Sequence, residues 1–159
     1  MAKIKKIPLT QGKYAIINEE DFDLVSKYKW HFFARKYAGR DYIENGKKKK
    51  MSMHRLITNF PIGCEIDHIN GNGLDNRRSN LRISTHKENI CNRAFLNKNN
   101  TTGYRGVTWS KEKNKYAAQI TVDYRHKCLG YFDRAIDAAK MVNGALVKYH
   151  KNFACLNKI

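Results

Sequence analysis

A loop rich in asparagine and glycine, set between two short strand patterns, constrains this chain more than any other feature. The loop covers residues 70–79, after a strand pattern at Cys64–Asp67 and before a second one at Leu81–Ser84. The Thr85–Glu88 segment is a capping box, in which the two side chains satisfy backbone N–H groups at a helix start. It predicts a helix that ends near Arg93. Strand, loop, strand and helix together predict a ββα unit.

The chain carries a large excess of positive charge. Its 159 residues include 31 lysines and arginines against 14 aspartates and glutamates, a net charge of +17. Residues 1–53 hold 13 basic and 6 acidic side chains, residues 54–102 hold 7 and 4, and residues 103–159 hold 11 and 4. Such an excess indicates a polyanionic partner, because each neutralised phosphate releases a condensed counterion.

The cysteines and the apolar content indicate where the chain works. Cys64, Cys91, Cys128 and Cys155 form no CxxC pair, which argues against a zinc finger. No apolar run approaches the roughly 20 residues of a membrane-spanning helix, and the basic N-terminus lacks the apolar stretch of a signal peptide. We therefore expect a cytoplasmic protein with reduced thiols and no membrane association.

The first segment, residues 1–53, is predicted to be a basic, β-rich region. Asn45-Gly46 and the following Lys47–Lys50 are expected at the tip between its last two strands. The lysines there are either a solvated hairpin tip or a contact to phosphate, and the sequence leaves both open. The predicted elements are strands at Lys3–Leu9 and Lys13–Ile17, a helix at Glu19–Lys27, and strands at Trp30–Ala34 and Lys48–Met53.

The remaining segments complete an α+β chain. Residues 54–96 are expected to hold the ββα unit, preceded by a helix at His54–Asn59 and a turn at 61–63. Residues 97–102 contain no apolar side chain and are predicted to be a linker. Residues 103–159 are predicted to form a three-stranded antiparallel sheet with a covering helix. Its elements are strands at Tyr104–Trp109, Tyr116–Val122 and His126–Phe132 and a helix at Arg134–Tyr149 with Asp133 as N-cap.

An acid and a histidine stand side by side at the end of the first strand of the ββα unit. Consecutive side chains on a strand diverge, so Asp67 is able to face a metal ion while His68 faces a water. Phosphodiester hydrolysis needs such a base near neutral pH, and hard oxygen ligands hold an ion of the Mg²⁺ type. Asn89, in the first turn of the capped helix, is placed to bring an amide oxygen from the other side.

This pattern resembles the HNH endonuclease motif, in the form common in phage and intron-encoded homing endonucleases. The resemblance covers about residues 51–93. It is carried by Asp67-His68-Ile69-Asn70-Gly71-Asn72, Asp75-Asn76-Arg77-Arg78-Ser79-Asn80-Leu81-Arg82, Thr85, Glu88 and Asn89, preceded by Met53-His54-Arg55-Leu56-Ile57.

The resemblance implies a role for each matched residue. Asp67 and Asn89 would bind one divalent metal ion, Mg²⁺ with Mn²⁺ as the alternative, and His68 would be the general base. Asn80 would brace the loop and orient His68. The third letter of the motif is Asn89 rather than histidine, and an amide oxygen suits Mg²⁺ better than Zn²⁺. His54 either supports the site or only begins a helix. Arg77 and Arg78 either contact DNA phosphate or are solvated.

The C-terminal segment resembles the AP2 DNA-binding domain over residues 103–157. The match is carried by Gly103–Val107, Lys115–Ile120, Leu129–Phe132 and Ala135 with Ala138-Ala139. In that fold a three-stranded sheet lies in the major groove of DNA, with its helix behind. The chain has Thr108 where the family has an arginine and Cys128 where it has a tryptophan, so no target sequence carries over. The DNA-facing set would be Arg105, Thr108, Lys115, Gln119, Thr121, Arg125 and His126.

The sequence therefore predicts a metal-dependent DNA endonuclease acting on double-stranded DNA, a homing-type enzyme that nicks one strand as a monomer, a dimer being the alternative. No small-molecule cofactor is expected. The competing class is a non-catalytic, sequence-specific DNA-binding regulator with a relic HNH segment. A nuclease directed at RNA is disfavoured, because A-form RNA hides the groove that a sheet would enter.

Overall fold

Small antiparallel sheets and short helices build this mixed α/β chain. The computed structural model describes residues 3–59, 63–92 and 96–159, and the chain divides into two compact units, residues 1–89 and residues 90–159. No helix in those described ranges has the length and apolarity to cross a bilayer. The first unit contains β1 (Ile4–Pro8), β2 (Tyr14–Asn18), α1 (Phe22–Ser26), β3 (His31–Phe33), β4 (Tyr37–Glu44), β5 (Lys47–Ser52), α2 (Met53–Thr58), β6 (Glu65–His68) and β7 (Leu81–Ser84).

The core of the first unit joins its N-terminal strands to its helices. β1 pairs with β2, β4 lies between β3 and β5, and β6 pairs with β7, all antiparallel. Burial of the apolar side chains of these elements supplies most of the stabilisation. Trp30 is fixed within this core by a 2.9 Å hydrogen bond from its indole N–H to the Val25 carbonyl. The buried cluster consists of Ile7, Leu9, Ala15, Ile17, Val25, Trp30, Ala38, Met53 and Ile57.

The lysine run lies in β5, which confirms the predicted strand at Lys48–Met53 and corrects the prediction that the lysines belong to the hairpin tip. Lys47–Lys50 belongs to β5, and its partner β4 was not predicted from the sequence. The turn between them is Asn45-Gly46 alone, with φ of 52° and 70°, the conformation that favours Asn-Gly in two-residue hairpins. The Asn-Gly pair was the available signal for β4. The mixture of Gly39, Arg40 and Asp41 concealed it.

Where the structure describes the ββα unit, its two strands and its helix form as predicted. β6 and β7 pair in register, and α3 spans His86–Cys91. The capping box is confirmed: the Thr85 backbone N–H donates to Glu88 at 2.8 Å, and the Glu88 N–H donates to Thr85 Oγ1 at 3.2 Å. The predicted turn at residues 61–62 and the predicted helix end near Arg93 lie outside the described residues.

The second unit is a three-stranded antiparallel sheet covered by a long helix. Its elements are β8 (Val107–Ser110), β9 (Lys115–Val122), β10 (Arg125–Phe132) and α4 (Ala135–His150), in the strand order β10-β9-β8. The apolar stripe of α4 packs on Val107, Ala118 and Ile120. Asp133 is not the N-cap of α4. That position is Arg134, and the Asp133 carboxylate instead lies 3.1 Å from Lys115 Nζ.

Residues of the predicted linker are hydrogen-bonded to the second unit. The Asn100 side chain donates to the Tyr104 carbonyl at 2.8 Å, and Thr102 Oγ1 donates to the Val107 carbonyl at 3.0 Å. Side chains of this kind commonly replace a backbone partner in a turn. The polar composition of this stretch therefore reflects an ordered turn at residues 100–104.

Candidate active site

The β6–β7 ribbon separates the two neighbouring residues of the motif. Asp67 is opposite Arg82 and His68 is opposite Leu81 in the antiparallel register. Because side chains alternate along a strand, Glu65 and Asp67 share one face of the ribbon while His68 projects from the other. Both Asp67 and His68 are buried.

The Asn80 side chain is hydrogen-bonded to two residues of the loop between β6 and β7, Asn70 and Asp75. Its amide oxygen accepts the Asn70 backbone N–H at 3.0 Å, and its Nδ2 donates to the Asp75 carbonyl at 2.7 Å. The Asn70 amide in turn donates to the Asp75 carboxylate at 2.8 Å. These bonds satisfy polar groups that would otherwise be costly to bury. The asparagines of the loop therefore hold its conformation.

The N-terminal strands hold this loop from the other side. The Ile16 N–H donates to the Leu74 carbonyl at 2.8 Å, and the Ile16 carbonyl accepts from the Asn76 N–H at 2.7 Å. Gly73 packs so tightly that a Cβ there would lie 2.6 Å from the Lys36 carbonyl oxygen and 2.7 Å from the Tyr37 ring. The loop is thus fixed by residues far away in the sequence.

The two arginines of the loop are engaged with buried carboxylates. Arg77 Nη2 lies 2.6 Å from Asp75 Oδ2, and Arg78 Nη2 lies 2.6 Å from Asp21 Oδ1. The hydrogen bond from Arg77 lowers the pKa of Asp75. Both arginines keep partly exposed side chains, so their role in phosphate contact stays a prediction. Their internal ion pairs were not foreseen from the sequence.

The His68 ring lies in a cluster of three rings. It is 4% exposed, and its centroid lies 5.1 Å from that of His54 and 5.8 Å from that of Tyr37. Burial is the main cause that lowers the pKa of His68, and the Lys36 charge acts in the same direction. The imidazole is therefore neutral at pH 7, the form that accepts a proton.

The orientation of the His68 ring follows from Asn76. His68 Nε2 lies 3.3 Å from Asn76 Oδ1, and the Asn76 Nδ2 donates to the Leu74 carbonyl. Because that bond turns the amide oxygen towards the ring, Nε2 carries the proton and Nδ1 is the basic nitrogen. Asn76 is therefore a positioning residue that the sequence analysis had placed only within the motif.

His54 is a second buried neutral histidine. Burial, with smaller effects of His68 and Arg55, lowers its pKa to about 3. Its Nδ1 has no hydrogen-bond partner among the residues that the structure describes. His54 is the second residue of α2 and packs edge-on against the His68 ring, so it lies both at a helix start and in the site.

Asp67 is neutralised across the strands. Arg82 Nε and Nη2 lie 2.8 and 2.6 Å from Asp67 Oδ2. A buried carboxylate needs a countercharge of this kind, since removing it from water is costly. The same pairing also places a guanidinium group beside the carboxylate that the motif assigns to metal binding.

Glu65 is the residue that sequence reasoning missed. Its Oε2 accepts a 2.7 Å hydrogen bond from Asn89 Nδ2, and its Oε1 lies 2.8 Å from His86 Nδ1. These bonds, that from Asn89 first, lower the pKa of Glu65. The strand alternation that pairs Glu65 with Asp67, and the position of Asn89 one helical turn into α3, were the signals that could have found it.

The oxygen donors on this face fit a hard divalent cation. Because Asn89 Nδ2 donates to Glu65, its Oδ1 is the atom turned away as an acceptor. Asp67 adds a carboxylate from the same face of the ribbon, and carboxylate and amide oxygens suit Mg²⁺. No group of three or more His, Cys, Asp or Glu side chains suited to a metal occurs in residues 3–59, 63–92 and 96–159.

The second unit divides the predicted DNA-facing set. By strand alternation Thr108, Lys115, Gln119, Thr121 and His126 share the sheet face away from α4, and His126 Nδ1 lies 3.0 Å from Thr121 Oγ1. Arg125 is opposite Val122 at the start of β10, which places it on the other face by alternation, and its contact with DNA stays a prediction. Arg105 precedes β8 and is partly buried, with its backbone N–H bonded to Asn157 at 2.7 Å.

A comparison with protein families matches the ββα unit of this chain. Residues 59–90 match the family model described as HNH endonuclease. The chain is 29% identical over 156 residues to an uncharacterized HNH endonuclease, L560, of Acanthamoeba polyphaga mimivirus, covering 94% of this chain and 77% of that protein. It is 41% identical over 64 residues to protein 3.8 of Escherichia phage T7, covering 40% of this chain and 52% of that protein.

No solved structure gives a significant match to the chain. The family match nevertheless falls on the same residues that form β6, the asparagine-held loop, β7 and the start of α3. Residues 59–90 of this chain match the HNH endonuclease family model, and this match supports nuclease activity.

Proposed function

We propose that the chain is a metal-dependent DNA endonuclease of the homing type that nicks one strand of duplex DNA. The single observation that carries the proposal is the pairing of a buried, neutral His68 with Asp67 at consecutive positions of β6, within a matched HNH domain. A net charge of +17 supports DNA as the substrate.

The chemistry follows from the placement of the residues. His68 Nδ1 accepts a proton from a water, and the resulting hydroxide attacks phosphorus while the bond to the leaving oxygen breaks. Asp67 and Asn89 would hold one divalent ion, which supplies charge neutralisation at the phosphate when bound. Glu65 orients the Asn89 amide, and Asn76 and Asn80 hold the base and the loop in position.

The second unit is proposed as the reader of the target, in an AP2-like manner. Gln119 and Thr121 on the exposed sheet face are side chains that hydrogen-bond base edges, and Lys115 adds a positive charge. With one such site among the described residues, a monomer nicks one strand, and a double-strand break requires two visits or a dimer.

A specific observation favours a second candidate. The Arg82 guanidinium is bound to the Asp67 carboxylate, as expected if the domain had lost metal binding and only bound DNA. The chain would then be a non-catalytic DNA-binding regulator.

One experiment separates the two functions. Supercoiled plasmid is incubated with the full chain in Mg²⁺ or Mn²⁺, with EDTA in a parallel sample, and with the His68→Ala variant as the matched control. We expect nicked circles only with metal and only with His68, while DNA affinity is nearly equal in both proteins. Nicking by His68→Ala at the wild-type rate would exclude the assigned base. Binding without nicking in either metal would establish the regulator.

A further inference from the structure

The sheet of β3, β4 and β5 has two faces with different surroundings. Antiparallel register places Phe33 opposite Tyr37, Asp41 opposite Lys50 and Ile43 opposite Lys48. Directly opposed residues share a face. We name this the site-side face: Phe33, Tyr37, Asp41, Ile43, Lys48 and Lys50. The other is the far face: Ala38, Arg40, Tyr42, Glu44, Lys47 and Lys49.

The site-side face is continuous with the candidate base. The Tyr37 ring lies 5.8 Å from the His68 ring, and Gly73 of the catalytic loop packs on the Lys36 carbonyl and the Tyr37 ring. From Tyr37 the face extends along β4 and β5 to the Asn45-Gly46 turn. A molecule lying on it would reach the Tyr37 ring, which packs against the buried His68 ring.

Two lysines at the site-side face lie on its aromatic rings: Lys50 on β5, and Lys36 in the turn before β4. Lys36 Nζ lies 5.3 Å from the Tyr37 ring centroid, and Lys50 Nζ lies 4.8 Å from that of Phe33. Neither ammonium group has a carboxylate partner among the described residues, whereas Lys48 lies 3.8 Å from Asp41. A cation on a ring keeps its full charge for an anionic ligand. Ile43, beside Lys48, is 77% exposed.

The far face carries three cations, Arg40, Lys47 and Lys49, on the side of the sheet opposite Tyr37. Lys49 is paired with Glu44, and the Arg40 guanidinium lies 3.8 Å from the Tyr28 ring centroid, with its Nε buried. The two faces therefore carry similar numbers of cations, but only the site-side face offers ammonium groups that lead to His68.

We propose that the site-side face binds the phosphate backbone of duplex DNA beside the scissile phosphate, with Lys36 nearest the cut and Lys50 and Lys48 farther along. The proposal rests on the proposed function, since it takes duplex DNA as the substrate. Lysines separated by two residues on one strand lie about 7 Å apart, so they contact successive points of a backbone that crosses the sheet.

The chain offers a matched pair of variants on the same strand. Lys48→Ser with Lys50→Ser removes two charges from the site-side face, and Lys47→Ser with Lys49→Ser removes two from the far face. Each pair includes one lysine that is paired with a carboxylate of β4, Asp41 in one case and Glu44 in the other. Both double variants are made in the full chain with His68→Ala, so that binding is measured without cleavage.

The measurement is the affinity for a 25-base-pair duplex, without metal, across a series of salt concentrations. Each lost phosphate contact lowers the slope of log K against log salt by about 0.9. We expect the site-side variant to lose about 1.8 of slope and the far-face variant to keep the parental slope. Lys36→Met should lose about 0.9. Circular dichroism and melting temperatures, equal in the two double variants, show that the sheet is intact.

Three results would overturn the proposal. Equal slopes in the two double variants would mean that only net charge matters, and no slope change in the site-side variant would mean that DNA lies elsewhere. If the site-side variant bound a 25-nucleotide single strand more weakly than its parent but bound the duplex equally well, the proposal would also be rejected, in favour of a single-strand site. Failure of the parent chain to nick DNA would reject the proposed function but leave these binding results intact.

Discussion

His54 and His68 are two uncharged rings packed against each other inside the first unit. Placing two histidines at 5.1 Å between ring centroids is tolerable only while both are neutral, because protonation of either would bury a charge. The site therefore depends on pH through its stability as well as through its chemistry.

Stability of the first unit should fall with acid below pH 6.5. The pKa of His54 is about 3 in the folded chain and 6.5 when unfolded, so the unfolded state binds the proton first. Through His54, the free energy of unfolding is unaffected above pH 6.5 and decreases by about 1.4 kcal/mol per pH unit between pH 6.5 and about pH 3, and His68 acts in the same direction. Urea unfolding, followed by Trp30 fluorescence in a Trp109→Phe background, measures this.

The His54→Phe variant is the control for that prediction. It keeps a ring in the cluster but removes the contribution of His54, so the acid slope should fall by about 1.4 kcal/mol per pH unit between pH 6 and pH 4. An acid slope equal to that of the parent would mean that His54 does not hold a depressed pKa.

Glu65 should control metal affinity through Asn89. Glu65→Ala removes the acceptor of the Asn89 Nδ2 hydrogen bond, so the Asn89 amide is free to turn its oxygen away. Loss of such a supporting bond typically weakens metal binding about 10- to 100-fold. Glu65→Gln keeps an oxygen acceptor and should lose far less. Mn²⁺ binding by paramagnetic resonance tests both variants without DNA, and equal affinities in Glu65→Ala and the parent would contradict the role.

At the scale of elements, patterns in the sequence predicted the strands and helices that interactions between nearby residues stabilise. β6, β7 and α3 were predicted from alternation and the Thr85–Glu88 capping box, whose partners are three residues apart. β4 was missed because its charged residues conceal a strand that depends on pairing with β5. Of the site, the pairing of Asp67 and His68 was visible in the sequence. The Glu65–Asn89 bond, which joins residues 24 positions apart, needed the fold.

The loop between β6 and β7 packs against Lys36 and Tyr37 through Gly73, and this contact predicts the effect of adding a methyl group at Gly73. Gly73→Ala places a carbon 2.6 Å from a backbone carbonyl oxygen, which cannot turn aside as a side chain can. Overpacking of this kind costs about 1–3 kcal/mol. Hydrogen exchange should show weaker protection at Asn76 and Asn80. Gly144→Ala in α4, where nothing lies within 4 Å, should stabilise its helix instead, and similar changes in both would refute the packing argument.

At the scale of the whole molecule, we expect DNA cleavage and the selection of the cleavage site to depend on different parts of the chain. A chain that ends at Thr102 keeps Asp67, His68, Asn80 and Asn89 but loses residues 103–159 with their 11 basic and 4 acidic side chains. We expect metal-dependent nicking to persist, weaker and less selective, with a shallower dependence on salt. Nick positions mapped on a long duplex give the result.

The Gln119→Ala variant of the full chain complements this truncation. A base contact contributes roughly 1–3 kcal/mol of discrimination, so this variant should relax the preferred site more than it slows nicking of random DNA. An unchanged nick pattern after truncation would locate specificity in residues 1–102.

The anchors of the catalytic loop lie far upstream: Arg78 is bound to Asp21, 57 residues earlier, and β2 pairs with the loop at Asp75. This limits how portable the nuclease is. A fusion built from the matched residues 59–90 alone would carry the reacting side chains without the strands that shape the loop. The smallest fragment that would keep the loop in its conformation is the first unit together with all of α3, and it includes the N-terminal strands.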